Sequence, residues 1–486
     1  MTHDVDMKHL RRRATSGARW TGTATGTRIA LQFVQLAILA RLLQVQDFGL
    51  MAMVNVVLAF GQTFADSGVS NAIIHYRDAK REELSSLYWL NVISGLVVCV
   101  AMWFVSPLAA RVYHQPPLVN LLRVSSVVFV IGPLGQQFQV LFERDLRFKR
   151  LAGIEMGAMV VSSIAGIVLA LAGNGVWSLV WATILNSVVK ALALAVIGWS
   201  TWRPMIHFMP RECRRFLRFG VYQMGEKTLN LLGQHLDKIV IGIVMGAVPL
   251  GYYDMASRLI SRPYQIINPV FTRVAFPVFS AVQKDRNRLR KGYLELMEVL
   301  NALTIPLYVG MVSLAAPFVL VQLGSKYAPS IELLQILSIV GLAFALSSPA
   351  GSLILACGRA DLGFYLNVLR TGLILVAIWI GAKWQLVGIA WAMVIVVAGI
   401  MFPVHAYVRW RLVGMRLGEF MQTALPFFWC SAVAAIPCLL GHRFIAWPNA
   451  ATELLVLFTI ASAIYAALLW WKARPRVMRI VHLAKS

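Results

Sequence analysis

The segment Thr21-Gly-Thr-Ala-Thr-Gly-Thr-Arg28-Ile-Ala-Leu-Gln32-Phe-Val-Gln35 places four polar side chains, Thr21, Arg28, Gln32 and Gln35, in an otherwise apolar surrounding. A second segment, Gln223-Met-Gly-Glu-Lys-Thr-Leu-Asn230-Leu-Leu-Gly-Gln234-His-Leu-Asp237, does the same with Gln223, Asn230, Gln234 and Asp237. Each member is separated from its counterpart by 202 residues (223 − 21, 230 − 28, 234 − 32 and 237 − 35). At about 100° per residue on a helix, each set falls within roughly 80° of one face. Polar groups on a membrane-embedded helix are costly unless they face protein or water. The two seams therefore predict a water-filled cavity built from duplicated halves.

The surrounding composition is that of a membrane protein. Of the 486 residues, 59% are hydrophobic and 14% charged, against about 25% charged in an average soluble protein. Apolar runs of membrane-crossing length recur, and the short alternating segments of a transmembrane β-barrel do not. The pattern predicts an all-α integral membrane protein of about fourteen spans. Their limits lie near 16–40, 49–74, 85–106, 118–142, 152–173, 176–200, 217–245, 251–281, 293–323, 331–357, 362–382, 386–408, 419–440 and 451–471.

Net charge is +24, and its placement decides its meaning. Odd-numbered connections hold 5 basic residues (Arg41, Arg111, Lys326, Lys383 and Arg443), whereas the termini and even-numbered connections hold 30. The positive-inside rule then predicts cytoplasmic N- and C-termini, with Arg11-Arg12-Arg13 as a cytoplasmic flank and no cleavable signal peptide. The charge reads as orientation plus attraction to membrane lipids, and not as nucleic-acid binding. Cys99, Cys213, Cys357, Cys430 and Cys438 are scattered without metal-ligand spacing, so neither a disulfide framework nor a zinc site is expected. P-loop, dinucleotide, HExxH and GxSxG motifs are missing, and no loop is long enough for a catalytic domain. No enzyme, metal or cofactor is expected.

The duplication extends past the seams. Arg41-Leu-Leu-Gln-Val-Gln-Asp-Phe-Gly49 aligns with Ile243-Val-Met-Gly-Ala-Val-Pro-Leu-Gly251 at the same offset. Six spans separate the copies, and an even number preserves topology. The halves are therefore parallel repeats. The expected organisation is a lobe over 1–208, a second over 209–416, and two additional helices with a basic tail over 417–486.

Charges within the spans suggest the cargo. Asn55, Gln62 and Asp66 lie within about 40° on the second span, and Glu226 lies about 20° from Asp237 on the seventh. Arg28, Lys190, Arg258, Arg262, Arg273 and Arg370 make six deep cations against the acids Asp66, Glu226 and Asp237. Local pairing of Asp254 with Arg258 at i,i+4 is the structural alternative. A net positive cavity suits an anionic headgroup, and arginine donates bidentate hydrogen bonds to phosphate. Thr21, Gln32, Gln35, Asn55, Gln62, Gln223, Asn230 and Gln234 supply hydrogen bonds for sugars. Asp66, Glu226 and Asp237 are candidates for coupling to H⁺ or Na⁺.

Several segments resemble bacterial polysaccharide exporters. These are Phe64-Ala-Asp-Ser-Gly-Val-Ser-Asn-Ala-Ile73, Arg144-Asp-Leu-Arg-Phe-Lys-Arg150, Gly175-Val-Trp-Ser-Leu179, Leu250-Gly-Tyr-Tyr-Asp-Met-Ala-Ser-Arg-Leu259, Phe276-Pro-Val-Phe-Ser280 and Lys326-Tyr-Ala-Pro329. The sequence is similar to the lipopolysaccharide/exopolysaccharide flippases of the multidrug/oligosaccharidyl-lipid/polysaccharide superfamily, of the colanic-acid-exporter type, over roughly residues 10–440. The resemblance implies two six-helix lobes in a V plus two extra helices. It implies translocation of undecaprenyl-pyrophosphate-linked oligosaccharide across the bacterial inner membrane, with a polysaccharide polymerase and glycosyltransferases as partners. Asp237 and Arg258 match family positions, whereas Gly225-Glu226-Lys227 stands where small Ser-like residues are implied. The alternatives are a multidrug exporter, which would favour an acidic cavity, a lipid II flippase, an integral-membrane polymerase or ligase, and a scaffold.

Overall fold

The computed structural model describes residues 26–66, 70, 73, 79–145, 147–283 and 285–472. The side chains of residues 219, 222, 269, 270, 272–274, 276–278, 281 and 360 fall outside that description. Among the described residues every regular element is helical.

Contacts divide the chain into two compact units, Met1–Gly251 and Tyr252–Ser486. The first unit contains α1 (26–42), α2 (Val45–Ala65), α3 (Arg81–Val112), α4 (Leu118–Ser125), α5 (Val128–Arg144), α6 (Phe148–Leu171), α7 (Val176–Gly198) and α8 (Pro210–Met245). Local chemistry sets their limits. The Gln44 backbone N–H donates to Asp47 Oδ2 at 2.9 Å and opens α2. Pro210 starts α8, where its missing N–H costs nothing, and Gly246 at φ 86° ends it. Helix α8 follows the expected lobe boundary at 208, and it packs on α2 and α3 within the first unit.

The second unit holds most of α9 (Ala247–Ala281), then α10 (Arg286–Ser313), α11 (Ala315–Gln322), α12 (Pro329–Ser347), α13 (Pro349–Ala356) and α14 (Ala360–Gly381). It continues with α15 (Gln385–Val394), a π-helical turn over Ile395–Met401, α16 (Phe402–Val413), α17 (Leu417–Phe444) and α18 (Ala450–Lys472). The Asp285 carboxylate caps α10 by accepting from the N–H groups of Asn287 and Arg288 at 3.0 and 3.1 Å.

Among the described residues, helical segments lie on all the spans expected from the sequence, and 10 are long and apolar enough to cross a membrane. The described part of α1, together with α8 and α9, falls outside that set. These helices carry the two seams and the Asp254–Arg273 charges, which lower their hydropathy. Most of the rest turn apolar side chains outward, whereas Val45–Ala65 is 61% buried over its most apolar stretch. Only 6% of the most apolar stretch of Ala450–Trp471 is buried in protein, which identifies a lipid-facing helix. The chain is a multi-pass helical membrane protein.

Two glycines of the aligned repeat make a reciprocal contact within the first unit. A Cβ at Gly49 would overlap the Ala247 carbonyl oxygen, and one at Gly251 would overlap the Val45 carbonyl oxygen. Ala247 is the repeat counterpart of Val45, as Gly251 is of Gly49. Gly242 packs on the Tyr113 ring, whereas Gly153 and Gly157 meet open space.

Candidate functional site

Asp66 closes α2 four residues after Gln62 and is only 8% exposed. A carboxylate so enclosed needs donors, because burial without them costs several kcal/mol (order of magnitude). Its Oδ1 accepts from Ser70 Oγ at 2.5 Å and from Gln136 Nε2 of α5 at 2.6 Å. Its Oδ2 accepts from Lys227 Nζ of α8 at 3.1 Å. Three helices thus converge on one carboxylate.

This cluster forms one wall of a cavity of about 430 Å³ in the first unit. Gln62, Gln136, Gln139, Glu143, Asn186, Ser187 and Lys190 supply most of its remaining polar lining. Gln139 Nε2 donates to Glu143 at 2.8 Å, and Asn186 Nδ2 donates to Ser162 at 3.1 Å. Beside it, Glu155 of α6 lies 3.5 Å from Lys190 Nζ and 3.8 Å from Arg28 Nη1. Amides, hydroxyls and paired charges in a membrane-embedded hollow are suited to hold a hydroxyl-rich ligand.

Of the residues expected from sequence, Gln62, Asp66 and Lys190 meet in this cavity, and Arg28 reaches it through Glu155. Gln32, Gln35, Asn55, Gln223, Asn230 and Asp237 are half-buried, and Glu226 and Gln234 are exposed. Asp237 Oδ1 accepts from the adjacent Lys238 N–H at 2.8 Å. Thr21 lies outside the described residues, as does the side chain of Arg273. Sequence reasoning missed Gln136, Gln139, Glu143, Glu155 and Asn186 as site residues. It also missed the partnership of Lys227, which reaches across to Asp66. An opposite charge on a neighbouring span was the available signal for Glu155.

In the second unit, Arg258 Nε donates to Asp254 Oδ2 at 2.5 Å, the i,i+4 pairing anticipated above. Arg262 is half-buried. Arg370 lies with its guanidinium 5.9 Å from the Phe344 ring centroid and its Nε buried without a hydrogen-bond partner. A second cavity of about 380 Å³ lies between α10 and α17, lined by Arg290, Glu295, Glu298, Glu419, Gln422 and Thr423 among others, with Arg290 paired to Glu419. Among the described residues no group of three or more His, Cys, Asp or Glu side chains is arranged to hold a metal ion.

Ahead of the seventh expected span, Glu212 Oε2 accepts from the Ser86 hydroxyl at 2.6 Å, and His207 Nε2 approaches the same carboxylate at 3.0 Å. These contacts, Ser86 first, hold the Glu212 carboxyl below its ordinary range.

The profile of the family described as "Polysaccharide biosynthesis protein" matches residues 38–332. This chain belongs to that family. "Lipopolysaccharide biosynthesis protein WzxC" of Escherichia coli (strain K12) is 35% identical over 378 residues, which cover 77% of this chain and 76% of the relative. "Teichuronic acid biosynthesis protein TuaB" of Bacillus subtilis (strain 168) is 31% identical over 434 residues, 88% and 89% of the two chains. Among solved structures, the lipid II flippase MurJ in an inward closed conformation superposes with a TM-score of 0.76. The match covers 94% of this chain and 99% of that one at 16% identity, and so shows the fold. The chain is thus a multi-pass helical membrane protein of the polysaccharide biosynthesis family.

Proposed function

We propose that this chain is a flippase moving undecaprenyl-pyrophosphate-linked oligosaccharide repeat units from the cytoplasmic to the periplasmic leaflet of the bacterial inner membrane. The product would feed exopolysaccharide or lipopolysaccharide synthesis. The cavity of about 430 Å³ carries the reading, because it offers amides, hydroxyls and the Lys190 ammonium to a sugar diphosphate within an apolar bundle. The polyprenyl tail can stay in lipid while the headgroup crosses. The names and family of the relatives support the same reading, and the 30-to-5 distribution of basic residues supports cytoplasmic termini and about fourteen crossings. The repeat supports alternating access by two six-helix lobes, 1–208 and 209–416, with residues 417–486 appended.

Arg28, Lys190, Arg258, Arg262, Arg273 and Arg370 remain the proposed headgroup cations. Asp66, Glu226 and Asp237 remain the proposed groups for H⁺ or Na⁺ coupling. A polysaccharide polymerase and glycosyltransferases are the proposed partners.

Proteoliposomes containing a fluorescent polyprenyl-pyrophosphate oligosaccharide test the proposal. Wild type should flip the lipid, and an imposed pH or Na⁺ gradient should drive it. A folded wild type that flips nothing would return the chain to the scaffold reading, and preferential flipping of lipid II would reassign the cargo.

A further inference from the structure

Glu155 holds two of the proposed headgroup cations with separate oxygens: Oε2 faces Arg28 Nη1 at 3.8 Å, and Oε1 faces Lys190 Nζ at 3.5 Å. The three side chains come from three helices, α1, α6 and α7. All remain accessible, with side-chain exposures of 47% for Arg28 and 31% for both Glu155 and Lys190. Among the described residues no hydrogen bond fixes the Glu155 carboxylate in addition to these pairs. The Asp66 carboxylate differs, being filled by Ser70, Gln136 and Lys227.

A carrier that binds an anion faces two demands. Bare cations in a membrane-embedded cavity are costly when the carrier is empty, so they need a counter-charge. The same cations, left unopposed, would also hold a diphosphate too tightly to release it. A single accessible carboxylate meets both demands. It neutralises part of the charge when the cavity is empty, and it must be expelled before the cargo can bind. A diphosphate carries more charge and more acceptor oxygens than one carboxylate, so it wins the exchange.

We propose that Glu155 is a place-holding carboxylate: it occupies the diphosphate subsite of Arg28 and Lys190 in the empty carrier and is displaced by the cargo. This rests on the flippase reading given above and assigns the subsite within it. The affinity for cargo is then a difference between two anions competing for the same cations, and loss of the internal anion raises it.

The test is equilibrium binding of farnesyl diphosphate, with farnesol as the uncharged control, to the purified full-length protein in lipid nanodiscs. Glu155→Gln should bind farnesyl diphosphate about fivefold tighter than wild type, the gain from relieving two half-exposed ion pairs. Farnesol binding should not change. Glu155→Asp, too short to span both cations, should fall between the two. Arg28→Ala and Lys190→Ala should each weaken binding, and Lys190→Ala should remove most of the gain when combined with Glu155→Gln. Unchanged or weaker diphosphate binding by both folded Glu155 variants overturns the place-holder while leaving the flippase reading intact. So does an equal gain for farnesol. Absence of farnesyl diphosphate binding by wild type and variants overturns it too, and the proteoliposome assay on wild type then shows whether the flippase reading falls with it.

Discussion

Asp254 and Asp66 are both buried aspartates paired to a half-exposed base, and they reach that state by opposite routes. Asp254 is 1% exposed and takes its partner from its own helix, Arg258, one turn away. Asp66 takes Lys227 from 161 residues away and Gln136 from 70 residues away, so its partners exist only when α2, α5 and α8 have met. A pair on one helix can enter the membrane already neutralised. A pair across helices reports on tertiary arrangement, and any rearrangement of α8 against α2 must break it. The first is expected to serve folding and the second to serve the working cycle.

The largest effect expected is at the local pair. Arg258→Ala removes the charged i,i+4 partner of a buried carboxylate and should cost about 3–5 kcal/mol, read as a lower unfolding temperature in detergent. Arg258→Lys should recover most of it, and flipping per folded molecule should stay near wild type in that variant. An Arg258→Lys protein that folds fully yet fails to flip would show that the headgroup needs the guanidinium fork at this position and not a positive charge alone.

A steric disturbance of α2 without any charge change comes next. Gly49→Ala drives a methyl into the Ala247 carbonyl, and overpacking of this kind costs about 1–3 kcal/mol. Gly251→Ala should cost a similar amount by the reciprocal contact with Val45. Unequal costs, with one variant at wild-type stability, would show that the two contacts are not equivalent.

Asp66→Asn and Lys227→Met separate structure from cycle. Each should destabilise by about 1–2 kcal/mol, and the double variant should cost less than their sum by about 1 kcal/mol. Flipping should fall in both single variants. Additive costs would mean that the contact contributes nothing in the folded protein.

Glu212 gives the smallest effect and a titratable standard. Its folded-state pKa is depressed, so its contribution is present above its ordinary value of 4.5 and is lost as pH falls through the depressed folded value. Glu212→Gln should therefore cost about 1 kcal/mol at neutral pH, with the gap to wild type closing as pH falls below 4.5. A gap that stays constant across that range would sink the assignment.

What was legible in the sequence follows the same division between local and distant. Hydropathy, caps and breaks act within a few residues, so the helical spans could be read directly. The Asp254–Arg258 pair needed only helical spacing. The repeat was legible because a fixed offset survives in the residues themselves. The surroundings of Asp66 were not, because nothing near it in the chain names Gln136 or Lys227. Gln136, Gln139 and Glu143 on α5, and Asn186, Ser187 and Lys190 on α7, do recur at helical spacing, so their stripes were legible in the sequence although neither repeats at the 202-residue offset that marks the seams. Glu155 stands two turns into α6, close enough to the helix start to pass for an interfacial charge, and only its meeting with Arg28 and Lys190 shows otherwise.

The reciprocal glycine contact has a consequence for ancestry. Gly49 meets Ala247, Gly251 meets Val45, and exchanging the two repeats maps this contact onto itself. Such self-complementarity is the mark of an isologous interface between identical subunits. A half-length ancestor carrying one valine or alanine and one glycine at these positions would have met a second copy of itself in this way, before fusion of two genes placed both partners on one chain.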